Sequence, residues 1–353
     1  MSDFFSATLA VLNAVWPYAL AILCFVFLII AHEFGHFIAA RIMGVKVNEF
    51  SVGFGPTLFK IKGKKTDFFV KAIPLGGYCA MEGEDEDSAH PDAFCNKKPW
   101  QRLIIVVMGA TFNLLLGVII VAIMLAPGNA FVTNEISSFD KNAVSSQSLQ
   151  KGDIIVEIGG RPVNTPTEIA YTFTNVKGNT LNLTVIRGGK KTVLKEVKFN
   201  TFSQDGYNMI TADFTLKAVK KTFGNYITTT LKTAFSYAKI VWWSLVDLIT
   251  GRYGISAMSG PVGATAILGS VAKQNVLNLL PICALLTVNL GIFNLLPIPA
   301  LDGGRALFIL CEIIFRRPIL KKQEPFIHTV GFILLFVFLI AISGKDIIQL
   351  IFG

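Results

Sequence analysis

Apolar residues gather in four long runs, at about Trp16 to Ala40, Leu103 to Leu125, Val276 to Phe315 and Phe326 to Ile342. A helix needs about 20 mostly apolar residues to cross a bilayer, so each run predicts a spanning helix. The third is too long for one straight crossing and is interrupted between Asn289 and Gly304 by two prolines, three glycines, two amides and the carboxylate of Asp302. Broken backbone at membrane depth is tolerated only where it is buried in protein or lines a wet cavity. The interruption therefore predicts a hydrated pocket.

Between the runs the pattern changes period. Thr57 to Lys62, the turn Gly63-Lys64-Lys65, and Asp67 to Ile73 predict a β-hairpin, closed by Pro74 to Gly77. The acidic stretch Glu82 to Asp87 reads as solvated surface. From about Phe131 to Phe202 the composition is that of a small soluble domain. Gly152 to Gly160 predicts turn, strand and turn; Pro166 to Asn175 a short helix; and Leu181 to Lys198 two strands joined at Gly188-Gly189. Val219 to Thr250 is amphipathic, and reads either as a helix lying along the membrane surface or as one packed on the small domain.

Composition strengthens the membrane reading. Of 353 residues 52% are hydrophobic, above the usage of an ordinary soluble chain. The net charge of +9 is not that of a nucleic-acid binder, because no basic block with interleaved aromatics stands out. Lys and Arg cluster instead beside the spans: ten lie between Arg41 and Arg102, and Arg316, Arg317, Lys321 and Lys322 lie between the last two runs. By the positive-inside rule both loops are cytoplasmic, which puts both termini and the segment from Ala126 to Leu277 outside. The five cysteines are scattered singly and make no metal pattern. No Lys or Arg precedes the first run, so it is not expected to be a cleavable signal peptide.

Candidate chemistry sits near the far end of the first run, where His32, Glu33 and His36 are spaced H-E-x-x-H. Residues four apart share a helix face, so the two imidazoles can bind one zinc ion while Glu33, about 100° round, reaches toward an attacking water. Zinc lowers the pKa of water to about 7 and polarises a carbonyl, and the carboxylate shuttles the proton. Alone the motif is only moderately specific, since two histidines on an amphipathic helix can simply be solvated. Inside an apolar span, three unpartnered polar side chains cost several kcal/mol, and a metal satisfies all three.

Catalytic zinc sites commonly use three protein ligands. Asp302 and Glu312 are the acidic candidates in the third run. Glu312 has an i,i+4 partner in Arg316, whereas Asp302 stands at the break with no evident cation and is preferred. At about 1.5 Å per residue, His32 lies roughly 13 Å inside Arg41 and Asp302 roughly 21 Å inside Arg316. His328 and His90 read as interfacial and loop histidines.

H-E-F-G-H at 32–36, F-S-V-G-F-G-P at 50–56, P-L-G-G-Y at 74–78, S-G-P-V-G at 259–263 and N-L-L-P-I-P-A-L-D-G-G at 294–304 together resemble the bacterial site-2 proteases of the RseP type. These are intramembrane zinc metalloproteases. The resemblance covers nearly the whole chain and thins between about Asp205 and Tyr253. It implies His32, His36 and Asp302 as Zn2+ ligands, Glu33 as catalytic base, Asn294 and Asn289 as holding substrate near the metal, and the hairpin as membrane-associated β-structure facing the site. The exported domain is similar to a PDZ domain; the best-known pattern carries two in tandem, and this chain has room for one.

The fold expected is a polytopic α-helical membrane protein with four transmembrane spans, a cytoplasmic-side membrane-associated β-hairpin region and an exported PDZ-like α+β domain. Its segments are the first span with HExxH (1–43), the hairpin loop (44–99), the second span (100–126), the PDZ-like domain (127–205), an amphipathic linker (206–275), the interrupted third span (276–316), and the last loop and span (317–353). The function expected is cleavage of single-span substrates, anti-sigma factors or signal-peptide remnants, in the bacterial cytoplasmic (inner) membrane, with an upstream site-1-type protease and the lipid bilayer as partners and no nucleic acid. A helical substrate must be unwound before hydrolysis, and its freed backbone groups can add as a strand to the hairpin's free edge, at Val70 and Ala72. Two other classes compete. A metal-dependent membrane scaffold has no need of a base such as Glu33. A transporter predicts more polar residues across the spans, where the second offers little beyond Asn113.

Overall fold

The computed structural model describes residues 2–84, 86–174, 176, 178–204, 207–252, 258–317 and 323–352. Its helices are α1 (Ser2–Ile42), α2 (Pro99–Leu125), α3 (Pro166–Phe173), α4 (Phe223–Ile249), α5 (Pro261–Gln274), α6 (Leu279–Asn294), α7 (Asp302–Phe315) and α8 (Glu324–Phe352). Its strands are β1 (Val47–Ile61), β2 (Asp67–Met81), β3 (Ala130–Phe139), β4 (Ile154–Ile158), β5 (Arg161–Pro162), β6 (Thr180–Arg187), β7 (Lys190–Lys198), β8 (Asn200–Gln204), β9 (Tyr207–Thr211) and β10 (Phe214–Lys220). Two compact units form, residues 1–120 with 245–353, and residues 121–244.

In the first unit the apolar runs become α1, α2, α6 together with the helical turn Val276–Asn278 that leads into it, and α8, the four helical segments among the described residues long and apolar enough to cross a membrane. Small residues let them approach closely, as hydrocarbon-embedded helices require. A Cβ on Gly35 would lie 2.5 Å from the Met108 carbonyl oxygen, so α1 and α2 touch backbone to backbone. One on Gly117 would lie 2.6 Å from a side-chain methyl of Val288, so that glycine makes room for α6. The third run breaks where expected: α6 ends at Asn294, residues 295–301 are non-helical, and α7 begins at Asp302. Lys321 and Lys322 lie outside the described residues.

Asp346, buried in α8, was not anticipated. Its Oδ2 accepts from the backbone N–H groups of Gly260 and Gly263, at 2.8 Å each. It thus satisfies two of the open donors at the start of α5, where no side-chain cap is present. This accounts for the S-G-P-V-G stretch, since a Cβ on Gly263 would meet that same oxygen at 2.9 Å.

β1 and β2 pair antiparallel and are doubled over on themselves. Lys60 and Ile61 face Phe69 and Phe68, as the expected hairpin requires, but residues 49–52 lie between residues 77–80 on one side and 67–70 on the other. Gly53 makes the fold-over possible: its φ of 85° is in the left-handed region, and a Cβ there would lie 2.7 Å from the Ile73 carbonyl oxygen. Val47, Phe50, Cys79 and Met81 are buried in one core with Ala39 and Ala40 of α1, Ile105 of α2 and Ile309 of α7. The outer half exposes Leu58, Phe59 and Ile61.

In the second unit the sheet order is β10-β3-β4-β6-β7, with β5 paired to β4. β6 and β7 turn at Gly188 and Gly189, both at positive φ (54° and 79°), the backbone a two-residue type I′ turn needs. Thr165 caps α3 by accepting from Glu168 N–H, and Pro166 opens its first turn. The core is Ile136, Ile155, Ile158, Leu183 and Val185, each contributing about 1.5–3 kcal/mol by its burial. Because β10 pairs with β3, the sheet runs to Lys220 and the expected boundary near residue 205 falls inside it. Asn175, where the α3 helix was expected to end, lies outside the described residues. The polar face of α4 packs on α3: Ser236 meets Thr165, Ser244 meets Tyr171, and Lys239 Nζ reaches the buried Glu168 at 2.9 Å. Its opposite face exposes Phe223, Leu231, Phe235 and Trp242.

Candidate metal centre

Helical spacing brings the two imidazoles of α1 to one point, and the break in the third run brings Asp302 to meet them. His32 Nε2 lies 3.3 Å from His36 Nε2, and Asp302 Oδ2 lies 3.1 Å and 3.2 Å from those nitrogens. Both histidines are buried. Asp302 opens the first turn of α7, where a carboxylate is favoured by the helix dipole. The turn ahead of it is tight: a Cβ on Gly303 would lie 2.2 Å from the Leu296 carbonyl oxygen.

These residues fit a metal. Asp302 Oδ2 is buried and accepts no well-directed hydrogen bond despite its closeness to two ring nitrogens. Three electron-rich atoms facing one another call for a cation between them. A tetrahedral zinc with bonds of about 2.0–2.1 Å sets its ligand atoms about 3.3 Å apart, which matches the observed spacing. The second nitrogen of each ring is also engaged. His36 Nδ1 donates to the Ile105 carbonyl oxygen at 2.9 Å, which leaves its Nε2 lone pair for a metal. His32 Nδ1 faces the Asn113 side-chain amide at 3.3 Å. Gly109, between those two positions on α2, makes room for the His36 ring: its Cβ would lie 2.3 Å from Nε2.

His32, His36 and Asp302 line a cavity of about 610 Å³ together with Glu33, which is half-buried and sits against Gly77. Tyr78, Cys79, Ala80 and Met81 form another wall. The outer edge of that β2 segment has no strand partner among the described residues. Here the expectation for the hairpin changes. Val70 pairs with Phe59 on one side and Val52 on the other, and Ala72 lies between Lys71 and Ile73, themselves paired with Thr57 and Phe54. Neither is on a free edge, because the fold-over of β1 covers it. Asn294 is the last residue of α6 and Asn289 lies one turn earlier; both are half-buried and neither is on the cavity wall.

Other residues also depart from expectation. Glu312 pairs with Arg102 of α2 at 2.6 Å, where the sequence suggested Arg316. Arg316 instead ends α7 in the left-handed conformation. His328 is not merely interfacial: it lines the cavity, and its Nδ1 accepts from the N–H of Ala300, which has a φ of 77° in the break. The acidic stretch is not all solvated surface, since Glu84 pairs with Arg305 at the cavity wall and Glu82 bonds Asn48 and Ser88. Asp85 lies outside the described residues. Sequence carried a signal for Gly109 and Asn113, polar or small positions in an apolar helix, but none for the Ile105 carbonyl.

Residues 20–338 match the model of peptidase family M50. The chain is 33% identical to a Clostridium acetobutylicum protein provisionally named a zinc metalloprotease, over 93% of this chain and 96% of that one. It is 31% identical to a similarly named protein of Fusobacterium nucleatum, over 94% and 99%. It is 27% identical to the zinc metalloprotease RasP of Bacillus licheniformis, over 93% and 98%.

Proposed function

The chain belongs to peptidase family M50, the site-2 proteases, and is a zinc metalloprotease; from that membership and the geometry above we propose that it hydrolyses transmembrane segments of single-span membrane proteins at zinc held by His32, His36 and Asp302. The observation that carries the reading is the convergence of three buried ligand atoms within 3.1–3.3 Å beside a fourth ionisable group, Glu33, in an otherwise apolar helix. Zinc, when bound, supplies acidification of water to near neutral pH and polarisation of the scissile carbonyl. Glu33 takes the proton of the attacking water and returns it to the leaving amide nitrogen. Both imidazoles are oriented from α2, His36 through the Ile105 carbonyl oxygen and His32 through the Asn113 side chain.

Substrate must reach this depth as an extended chain, since a helical peptide bond is shielded by its own hydrogen bonds. Its freed N–H and C=O groups, costing several kcal/mol each if unpaired in hydrocarbon, add as a strand to the outer edge of residues 77–81. That edge, rather than Val70 or Ala72, runs past the site. Asn294 and Asn289 hold substrate backbone beyond the break. The protein works as a multi-pass component of the bacterial cytoplasmic membrane, its second unit a single PDZ-like domain outside together with both termini. Its substrates are of the anti-sigma-factor or signal-peptide-remnant class, trimmed beforehand by a site-1-type protease.

Purified protein incubated with a panel of single-span substrates tests this. Cleavage is expected in the wild type, is lost with a zinc chelator, and is lost in Glu33→Gln while zinc stays bound. Zinc-dependent capture of substrate without cleavage by the wild type would sink the proposal in favour of a scaffold.

A further inference from the structure

We infer that Asn113 of α2 is a positioning residue for His32: its side-chain oxygen accepts the Nδ1–H of that imidazole and keeps the Nε2 lone pair directed at the metal. The inference rests on the zinc site proposed above and concerns a residue outside the ligand set.

The His32 ring has a neighbour at each of its two nitrogens. Nε2 is directed at Asp302 Oδ2 and His36 Nε2, at 3.1 Å and 3.3 Å, so it is the atom that meets a metal. A neutral imidazole carries one N–H, and a ring that ligates through Nε2 carries it on Nδ1. Nδ1 therefore needs an acceptor. The group facing it is the Asn113 amide, with Nδ2 at 3.3 Å, which would set a donor against a donor. Amide oxygen and nitrogen exchange places on a half-turn of the side chain, and their assignment follows the hydrogen-bond network.

The other end of the same amide points to the same correction. Asn113 is completely buried, and its Oδ1 has no hydrogen-bond partner. Leaving a buried acceptor unpaired costs about 1–3 kcal/mol. The half-turn brings that acceptor to the donor that lacks one, leaving only the amide N–H groups to be accommodated. The backbone of Asn113 is held in place from α6, where Thr287 Oγ1 donates to its carbonyl oxygen at 3.1 Å. Two turns earlier on α2, Ile105 does for His36 what Asn113 does for His32, with a backbone carbonyl in place of a side-chain oxygen. One face of α2 thus orients both imidazoles through Ile105, Gly109 and Asn113.

Zinc affinity of the purified full-length protein, measured by competition with a chelator of known affinity, tests this in Asn113→Leu and Asn113→Asp. The Leu variant keeps the volume and loses the acceptor, and affinity is expected to fall roughly 10- to 100-fold. The Asp variant presents an oxygen in either rotation and is expected to hold zinc at least as tightly as wild type, with the Co2+-substituted absorption spectrum unchanged. Unchanged affinity in the Leu variant overturns the inference. So does an Asp variant as weak as Leu, which would make the amide a packing element. Nitrogen NMR of histidine-labelled, zinc-loaded wild type needs no variant to fold: it should show His32 protonated at Nδ1 and metallated at Nε2, and metal on Nδ1 also overturns the inference. Failure of the site itself looks different. If wild type and His32→Ala retain zinc equally, the zinc ligands were misassigned, whatever Asn113 does.

Discussion

A single methyl group on Gly109 tests the packing of α2 against the His36 ring. The added Cβ of Gly109→Ala would lie 2.3 Å from His36 Nε2, with the neighbouring ring carbons at 2.7 Å and 2.8 Å. Ordinary contact needs about 3.5 Å, so the ring must retreat by roughly 1 Å. It is held against retreat by the bond from Nδ1 to Ile105. Separating α1 from α2 instead would break the backbone contact at Gly35 and carry both imidazoles away from Asp302. A misplacement of about 1 Å costs roughly 10²-fold in rate, so kcat/KM on a single-span substrate should fall by that factor, with zinc content reduced. Helix propensity works in the opposite direction, because Ala is about 1 kcal/mol better than Gly inside a helix. A weakened α2 therefore cannot explain the loss. The assay pairs turnover with metal analysis and thermal unfolding in detergent. Wild-type turnover and zinc content in Gly109→Ala would refute the reasoning, since the methyl would then have found room the structure denies it.

Asp302→Asn should empty the metal site, whereas Glu312→Gln should keep zinc and lose roughly 1–3 kcal/mol of stability through its half-buried Arg102 partner; metal analysis giving the reverse would reassign the third ligand. Asp346→Leu strands two N–H groups at the start of α5 and should lower stability by about 2–4 kcal/mol, read as a falling unfolding temperature. Asp346→Asn retains an acceptor and should cost distinctly less; equal losses would show that the negative charge, and not the two bonds, is what α5 requires. Single-cysteine labelling with an impermeant reagent in intact cells should find position 64 protected and position 189 accessible, and the opposite pattern would invert the proposed topology.

What could be read without coordinates was what the chain encodes locally. Four apolar runs gave four helices because burial of a span is set by its own length and composition. His32 and His36 came to one point because four residues on a helix return to one face. The break at residues 295–301 was legible in its prolines and glycines, and Asp302 stood out as the carboxylate at its end; that Arg305, three residues on, pairs with Glu84 instead of Asp302 came only from the fold. The Gly188-Gly189 turn was visible as dipeptide chemistry.

Everything that depends on residues distant in sequence had to wait for the fold. Glu312 finds Arg102 across 210 positions, where a local rule favoured Arg316. The hairpin edge was misjudged because residues 49–52 return to cover it, a pairing fixed by tertiary packing of Phe50 and Cys79 on α1 and α2 and invisible in the period-2 pattern. The orienting groups behind the imidazoles were hidden for the same reason. The Ile105 carbonyl is an atom every residue possesses, and Gly109 acquires its meaning only from a ring that α1 places 2.3 Å from its missing Cβ. Local spacing could align two imidazoles along one helix; only the packing of a second helix against it could bring the Ile105 carbonyl and the Asn113 amide to their Nδ1 atoms.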